Sequence, residues 1–110
     1  KHAGRYYCFY SGANYQTDRY GVDYVVADHP LGPYTGQGDR ARVLRSVPGH
    51  VRGPGHHSIV PGPHGQSQYL VYHAWDPAMR VRWMCLDQLL WTPEGPRGAG
   101  PSWTPQPAPR

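Results

Sequence analysis

Gly53-Pro54-Gly55-His56-His57-Ser58-Ile59-Val60 and Tyr69-Leu70-Val71-Tyr72-His73-Ala74-Trp75-Asp76 decide how this chain is read. In the first stretch a Gly-Pro-Gly turn delivers two histidines to the start of an apolar strand. In the second, apolar and aromatic residues form a returning strand that ends in His-Ala-Trp-Asp.

Working outward, short strands are predicted over about 5–11, 20–28, 57–61, 68–74 and 81–91, with a short outer strand near Tyr34. Asp28 to Pro33 and Pro93-Glu94-Gly95-Pro96 are turn clusters. Residues 36–55 read as a long connection with one short strand at Val43-Leu44, and 98–110 as an extended Pro-rich tail anchored by Trp103. The one helix candidate is the Leu-rich run Leu86 to Trp91. Fourteen Gly and thirteen Pro bring the chain near the composition of disordered segments. Nine Tyr and four Trp argue for packed strands instead, with Gly and Pro as punctuation. The class is therefore all-β and antiparallel.

A length of 110 residues allows one domain at most, with a modest core. A faint internal repeat runs through it. Tyr7 to Ser11 aligns with Tyr69 to His73, and Gly32-Pro33-Tyr34-Thr35 with Gly100-Pro101-Ser102-Trp103-Thr104. Repeats of this kind mark propeller blades and similar arrays.

The formal charge of +4 raises a nucleic-acid partner, but the ten Arg are scattered and Lys1 is the single lysine. A phosphate-tracking surface needs clustered cations, so nucleic acid is excluded as a partner class. No apolar run is long enough to span a membrane, and no leader pattern is present. Localisation is unread. Cys8 and Cys85 lie in apolar strand-like runs and read as two buried thiols, a disulfide being the less favoured reading.

In number and order, the motifs of this chain resemble the last two blades of the five-bladed β-propeller glycoside hydrolases of family 43, the β-xylosidases, α-L-arabinofuranosidases and arabinanases. The residues that carry the resemblance are Tyr6 to Ser11, Tyr20 to Tyr24, Asp28 to Thr35, Gly53 to His56, Tyr72 to Asp76, Arg82 to Trp91 and Pro93 to Pro107. The resemblance implies that residues 1–50 form an incomplete fourth blade plus connection, and 51–110 a fifth blade with a Pro-rich terminal strand. It also implies a pentose-containing oligo- or polysaccharide as substrate. Two blades leave two apolar flanks bare, which implies a homo-oligomer or missing upstream blades as partner.

Glycoside hydrolysis needs a carboxyl group on each side of the scissile bond. In the family the acid is a Glu a few residues before the strand that starts here at Arg5, and none of the family's catalytic carboxylates can be placed on this sequence. Glu94, the one glutamate, reads as a solvated turn residue, Asp18, Asp23, Asp28 and Asp39 as turn or strand-surface residues, and Asp76 and Asp87 as structural. Two residues of the family site carry over, His56 and Arg82. His56 matches a channel histidine that helps hold calcium, although calcium wants several oxygens and a lone imidazole is a poor site. A histidine satisfied by neighbouring backbone is the other reading. His57, next in the strand, is expected to face the opposite way. Arg82 matches an arginine that reaches the sugar, with Arg80 as a rival on the same face and an exposed strand arginine as the plain reading. Trp75 offers a flat ring to a sugar, as Trp83 also can, whereas Trp91 and Trp103 are expected in the core.

Overall fold

The computed structural model describes residues 1–110. The first three strands are β1 (Tyr6–Gly12), β2 (Gly21–Ala27) and the two-residue β3 (Thr35–Gly36). They pair antiparallel in the order β1-β2-β3. Then β4 (Arg52–Pro61), β5 (Gln68–Trp75), β6 (Arg82–Thr92) and β7 (Gly95–Gly98) form a second antiparallel meander. The Leu86–Trp91 run belongs to β6, so the strand period and not the helical one governs it.

Side chains alternate across a strand, so the register fixes which residues share a face. The pairs Tyr7↔Val26, Phe9↔Tyr24 and Ser11↔Val22 lie on one face of the first sheet. Leu70↔Asp87, Tyr72↔Cys85 and Ala74↔Trp83 lie on one face of the second. These two faces meet, and Val22, Tyr24, Leu70, Tyr72, Ala74 and Leu89 form the core with Ala41, Val43, Leu44 and Val51 of the long connection. Trp91 packs against this core, edge-on to Tyr7 at 4.9 Å, as expected.

The connection is less bare than its composition suggests. It contains a 3-10 turn at Gly38–Ala41. The expected strand at Val43-Leu44 is a single bridge, Val22↔Leu44, with the Val22 amide donating to the Leu44 carbonyl at 3.0 Å. Burying Leu44 there lets an otherwise polar segment close the base of the core.

Four readings are corrected. β4 begins at Arg52 and not near 57, because the Gly-Pro-Gly segment is itself part of the strand. Of the turn expected at Pro93–Pro96, Pro93 and Glu94 form the turn while Gly95 and Pro96 already belong to β7; Pro96 is tolerated because this is the edge strand. Cys8 is exposed, since the parity that turns Tyr7 and Phe9 inward turns Cys8 outward; Cys85 is half-buried, and both thiols are free. Trp103 is 53% exposed and outside the core; it anchors the tail by stacking on His50 at 4.0 Å.

The outer faces mix apolar residues with Asp23 on the first sheet and with His73, Arg82 and Gln88 on the second. Tyr6, Cys8, Tyr10 and Val25 share the far side of the first sheet. Val71, Met84 and Leu86 share the far side of the second, where Met84 is 84% exposed.

Candidate functional site

β4 does not pair evenly with β5. Its partners are Arg52↔Trp75, Gly55↔His73 and Ser58↔Val71, so twice in succession two residues of β4 stand against one of β5. Such bulges bend a strand and re-aim its side chains. The second bulge holds His56 and His57. His56 adopts φ 54°, a left-handed conformation that histidine enters more readily than β-branched residues do. Its ring is exposed, and its amide donates to Ser11 Oγ at 2.8 Å, tying the two sheets together. His57 turns inward, edge-on to Phe9 at 6.0 Å, with a buried Nδ1 that has no partner. Burial, and then the neighbouring His56, push the His57 pKa below its ordinary value.

Two glycines of the turn admit a loop from the first sheet. A Cβ on Gly55 would strike the Tyr20 ring, and one on Gly53, at φ 55°, would strike the Thr17 carbonyl. The Ala13–Tyr20 loop therefore lies directly on β4. Asn14 and Thr17 brace it: Asn14 Oδ1 accepts from the Gln16 amide at 2.9 Å, and Thr17 Oγ1 donates to the Asn14 carbonyl at 2.8 Å.

Arg82 and Trp75 are cross-strand neighbours at the mouth of the β5–β6 hairpin. Trp75 Nε1 donates to the Tyr15 carbonyl at 2.7 Å. Arg82 Nη1 donates to the same carbonyl at 3.1 Å, and its Nη2 donates to the carbonyls of Gly53 and His73, both at 2.8 Å. Its Nε donates to His73 Nδ1. The guanidinium carbon sits 5.2 Å from the Trp75 ring centre and 5.7 Å from that of Tyr20. Four of the five guanidinium N–H groups are thus engaged, and one, on Nη1, is free. Burial lowers the Arg82 pKa, while Tyr20, Cys85 and Tyr15 push it back up.

The bond from Arg82 fixes the state of His73. A nitrogen that accepts cannot carry a proton, so neutral His73 bears its hydrogen on Nε2. Burial, Arg82 and His56 all lower its pKa, in that order. His73 links the three expected site residues into one cluster: it binds Arg82, which lies against Trp75, and its ring lies 5.4 Å from that of His56. Arg80 is not part of this cluster; it sits in the exposed hairpin turn, 3.9 Å from Asp76.

A calcium ion does not fit the residues present. No group of three or more His, Cys, Asp or Glu gathers anywhere in the chain. With Nε2 of His73 protonated, His56 is left as a single imidazole without a carboxylate partner, whereas calcium takes six or more oxygens. The carboxylates lie elsewhere. Asp28 pairs with Arg5, Asp39 with Arg42, Asp23 with Arg45 and Asp18 with Arg52. Asp76 Oδ1 accepts from the Arg80 amide at 2.7 Å, Asp87 accepts from Tyr72, and Glu94 stands in the β6–β7 turn. The cluster can therefore bind and orient a polyhydroxyl ligand, and it holds no carboxyl group of its own.

His73, Tyr15 and Tyr20 are the members that sequence reasoning missed. His73 stood inside a quoted motif, and its role shows only once Arg82 folds onto it. Tyr15 and Tyr20 arrive from a loop some sixty positions away in sequence.

Comparison with known proteins accords with this architecture. The family model of glycosyl hydrolases family 43 matches residues 1–96. The β-D-galactofuranosidase xynD of Aspergillus niger is 33% identical over 98 residues, which cover 86% of this chain and 28% of that protein. A thermostable family-43 glycoside hydrolase of known structure superposes with TM-score 0.91 at 34% identity, covering 100% of this chain and 36% of the other. An endo-1,4-β-xylanase from Bacteroides thetaiotaomicron gives TM-score 0.74 at 26% identity, covering 91% of this chain and 35% of that one. The chain thus spans about a third of the length of these relatives, and its sheets are blades of a five-bladed β-propeller. Family model, relative and superposed structures agree with the motifs, and the chain belongs to glycosyl hydrolases family 43.

Proposed function

We propose that this chain supplies the Arg82 wall of the sugar pocket in a glycoside hydrolase acting on arabinose- and xylose-containing plant polysaccharides. The observation that carries the reading is the guanidinium itself. Arg82 is locked by His73, Tyr15 and Gly53 with one N–H left over, flanked by the ring of Trp75. A preorganised donor beside an aromatic face suits a sugar hydroxyl and its adjoining C–H surface. The substrate class draws on the relatives named as a galactofuranosidase and a xylanase, the first sharing a five-membered ring with arabinofuranose.

In this reading residues 1–50 and 51–110 are the fourth and fifth blades. An inverting mechanism needs two carboxyl groups about 6.5–9.5 Å apart. The carboxylates of this chain lie outside the cluster, the six Asp bonded to other groups and Glu94 in an exposed turn, so acid and base come from blades outside residues 1–110. Because calcium does not fit the residues of this chain, a calcium ion would have to be held by oxygens of those blades, with His56 adding no more than one imidazole.

A second reading, a sugar-binding propeller piece without catalysis, is favoured by the same placement of the carboxylates. The protein with and without upstream blades is assayed on aryl arabinofuranoside, xyloside and galactofuranoside, and titrated with xylo- and arabino-oligosaccharides. Hydrolysis once upstream blades are present, lost in Arg82→Ala, supports the enzyme. Binding without hydrolysis selects the second reading. Neither binding nor hydrolysis overturns both.

A further inference from the structure

We propose that Tyr15 is a further sugar-contacting residue of this site, its ring serving as the platform on which a furanose or pyranose stacks beside the free N–H of Arg82. The proposal rests on the reading of Arg82 as a sugar donor.

Tyr15 is set apart by a contrast between its backbone and its ring. The backbone is among the most firmly held in any loop of the chain. Its carbonyl accepts from Trp75 Nε1 at 2.7 Å and from Arg82 Nη1 at 3.1 Å. The Asn14 carbonyl accepts from the Thr17 amide at 3.0 Å, and Gln16 closes a turn on Asn14 Oδ1. From that fixed base the ring projects into solvent, 51% exposed. A ring on a braced loop loses little entropy when a ligand meets it.

Of the other strongly exposed apolar side chains, Met84 shares the face of Arg82 and pairs with His73 but has no ring, Trp83 lies on the opposite face of β6, Leu31 is in the turn after β2, and Trp103 is on the tail. Tyr15 is the exposed aromatic whose own main chain is bonded to Arg82. Sugars present one face rich in C–H bonds and an edge of hydroxyls. A tyrosine face next to a single guanidinium N–H matches those two surfaces at once. Trp75, half-buried and bonded through Nε1, serves to hold Arg82 and the loop; Tyr15 offers the free ring.

The test titrates the protein carrying its upstream blades with xylotetraose and arabinotetraose by calorimetry, in wild type, Tyr15→Leu, Tyr15→Phe and Arg82→Ala. A 3-fluoro label on Tyr15 gives a second readout that needs no loss of the ring. Expected are about 3- to 10-fold weaker binding for Tyr15→Leu, tighter binding by Tyr15→Phe than by Tyr15→Leu, and a fluorine shift on adding ligand. Unchanged affinity in Tyr15→Leu, or a fluorine signal indifferent to ligand that binds, overturns the Tyr15 proposal and leaves Arg82 standing. Full binding by Arg82→Ala, or no binding by wild type, overturns the underlying reading as well. Should Tyr15→Leu lower the melting temperature, the fluorine shift in the otherwise native protein decides alone.

Discussion

Arg82 bonds to the carbonyls of Tyr15, Gly53 and His73, drawn from the β1–β2 loop, β4 and β5. Removing it strands three acceptors and frees the loop. Arg82→Ala should destabilise the fold by about 2–3 kcal/mol in urea melts. Arg82→Lys keeps the charge but loses the planar fork, and should recover less than half of that; full recovery would show that charge alone matters. The two histidines with lowered pKa values set a pH response. Above their ordinary value of 6.5 both folded and unfolded chains hold them neutral, and they contribute no slope. Below it the unfolded chain takes up protons that folded His57 and His73 resist, so stability falls with acidity. Protonating His73 also removes the acceptor of Arg82 Nε. Melting temperature should hold from pH 8 to about 6.5, decline toward pH 5, and decline less in His57→Leu; a flat profile would refute this. Legibility at this scale follows sequence distance. His56, Trp75 and Arg82 were readable because they sit inside local motifs. Tyr15 was not, because a loop's landing point depends on two glycines having no Cβ. Cys8 was misjudged by composition, although strand parity already placed it outward.

β6 is the longest strand, and it organises the tail as well as the second sheet. Asp87, only 5% exposed, accepts from the Tyr72 hydroxyl at 2.6 Å and from the Ser102 amide at 3.0 Å. Burial and the Asp87 bond push the Tyr72 phenol pKa up, so Tyr72 remains a donor throughout the working range. The tail then returns along the sheet until the Arg110 amide meets Tyr69 Oη at 3.1 Å. Asp87→Ala strands the buried Tyr72 hydroxyl, which costs about 1–3 kcal/mol, and releases the half-buried Ser102 amide. Amide exchange should accelerate across 99–110 while β1 and β2 keep their protection; uniform acceleration would mean that Asp87 supports the whole core and not the tail. Strand positions were legible from period-2 runs and turn residues. β7 was not, because Gly95-Pro96-Arg97-Gly98 has the composition of a turn and becomes a strand through pairing with the last residues of β6. The start of β4 was hidden for a related reason: two bulges let Gly-Pro-Gly stay within the ladder.

The whole molecule is a pair of sheets with a shared core and two unshared sides. Tyr10 on one side and Met84, Leu86 and Leu90 on the other are exposed, as the reading of a two-blade piece anticipated. The two sides differ from each other, so a closed ring of copies must join head to tail, the second sheet of one against the first sheet of the next. Five blades cannot be divided into whole pairs. Propellers close with roughly four to eight blades, so self-assembly would close with two to four copies and an even blade number, not as the five-bladed ring of the relatives. The five-bladed ring instead requires the three remaining blades, consistent with the chain spanning 36% of a superposed family member. Light scattering on the eluting peak should therefore show association of the 110-residue chain. Met84→Lys with Leu86→Lys should shift it toward monomer, and adding the upstream blades should remove the association without mutation. A sharp monomer peak at high concentration would mean that the exposed flanks are tolerated in water, and the argument from bare blade faces would fail.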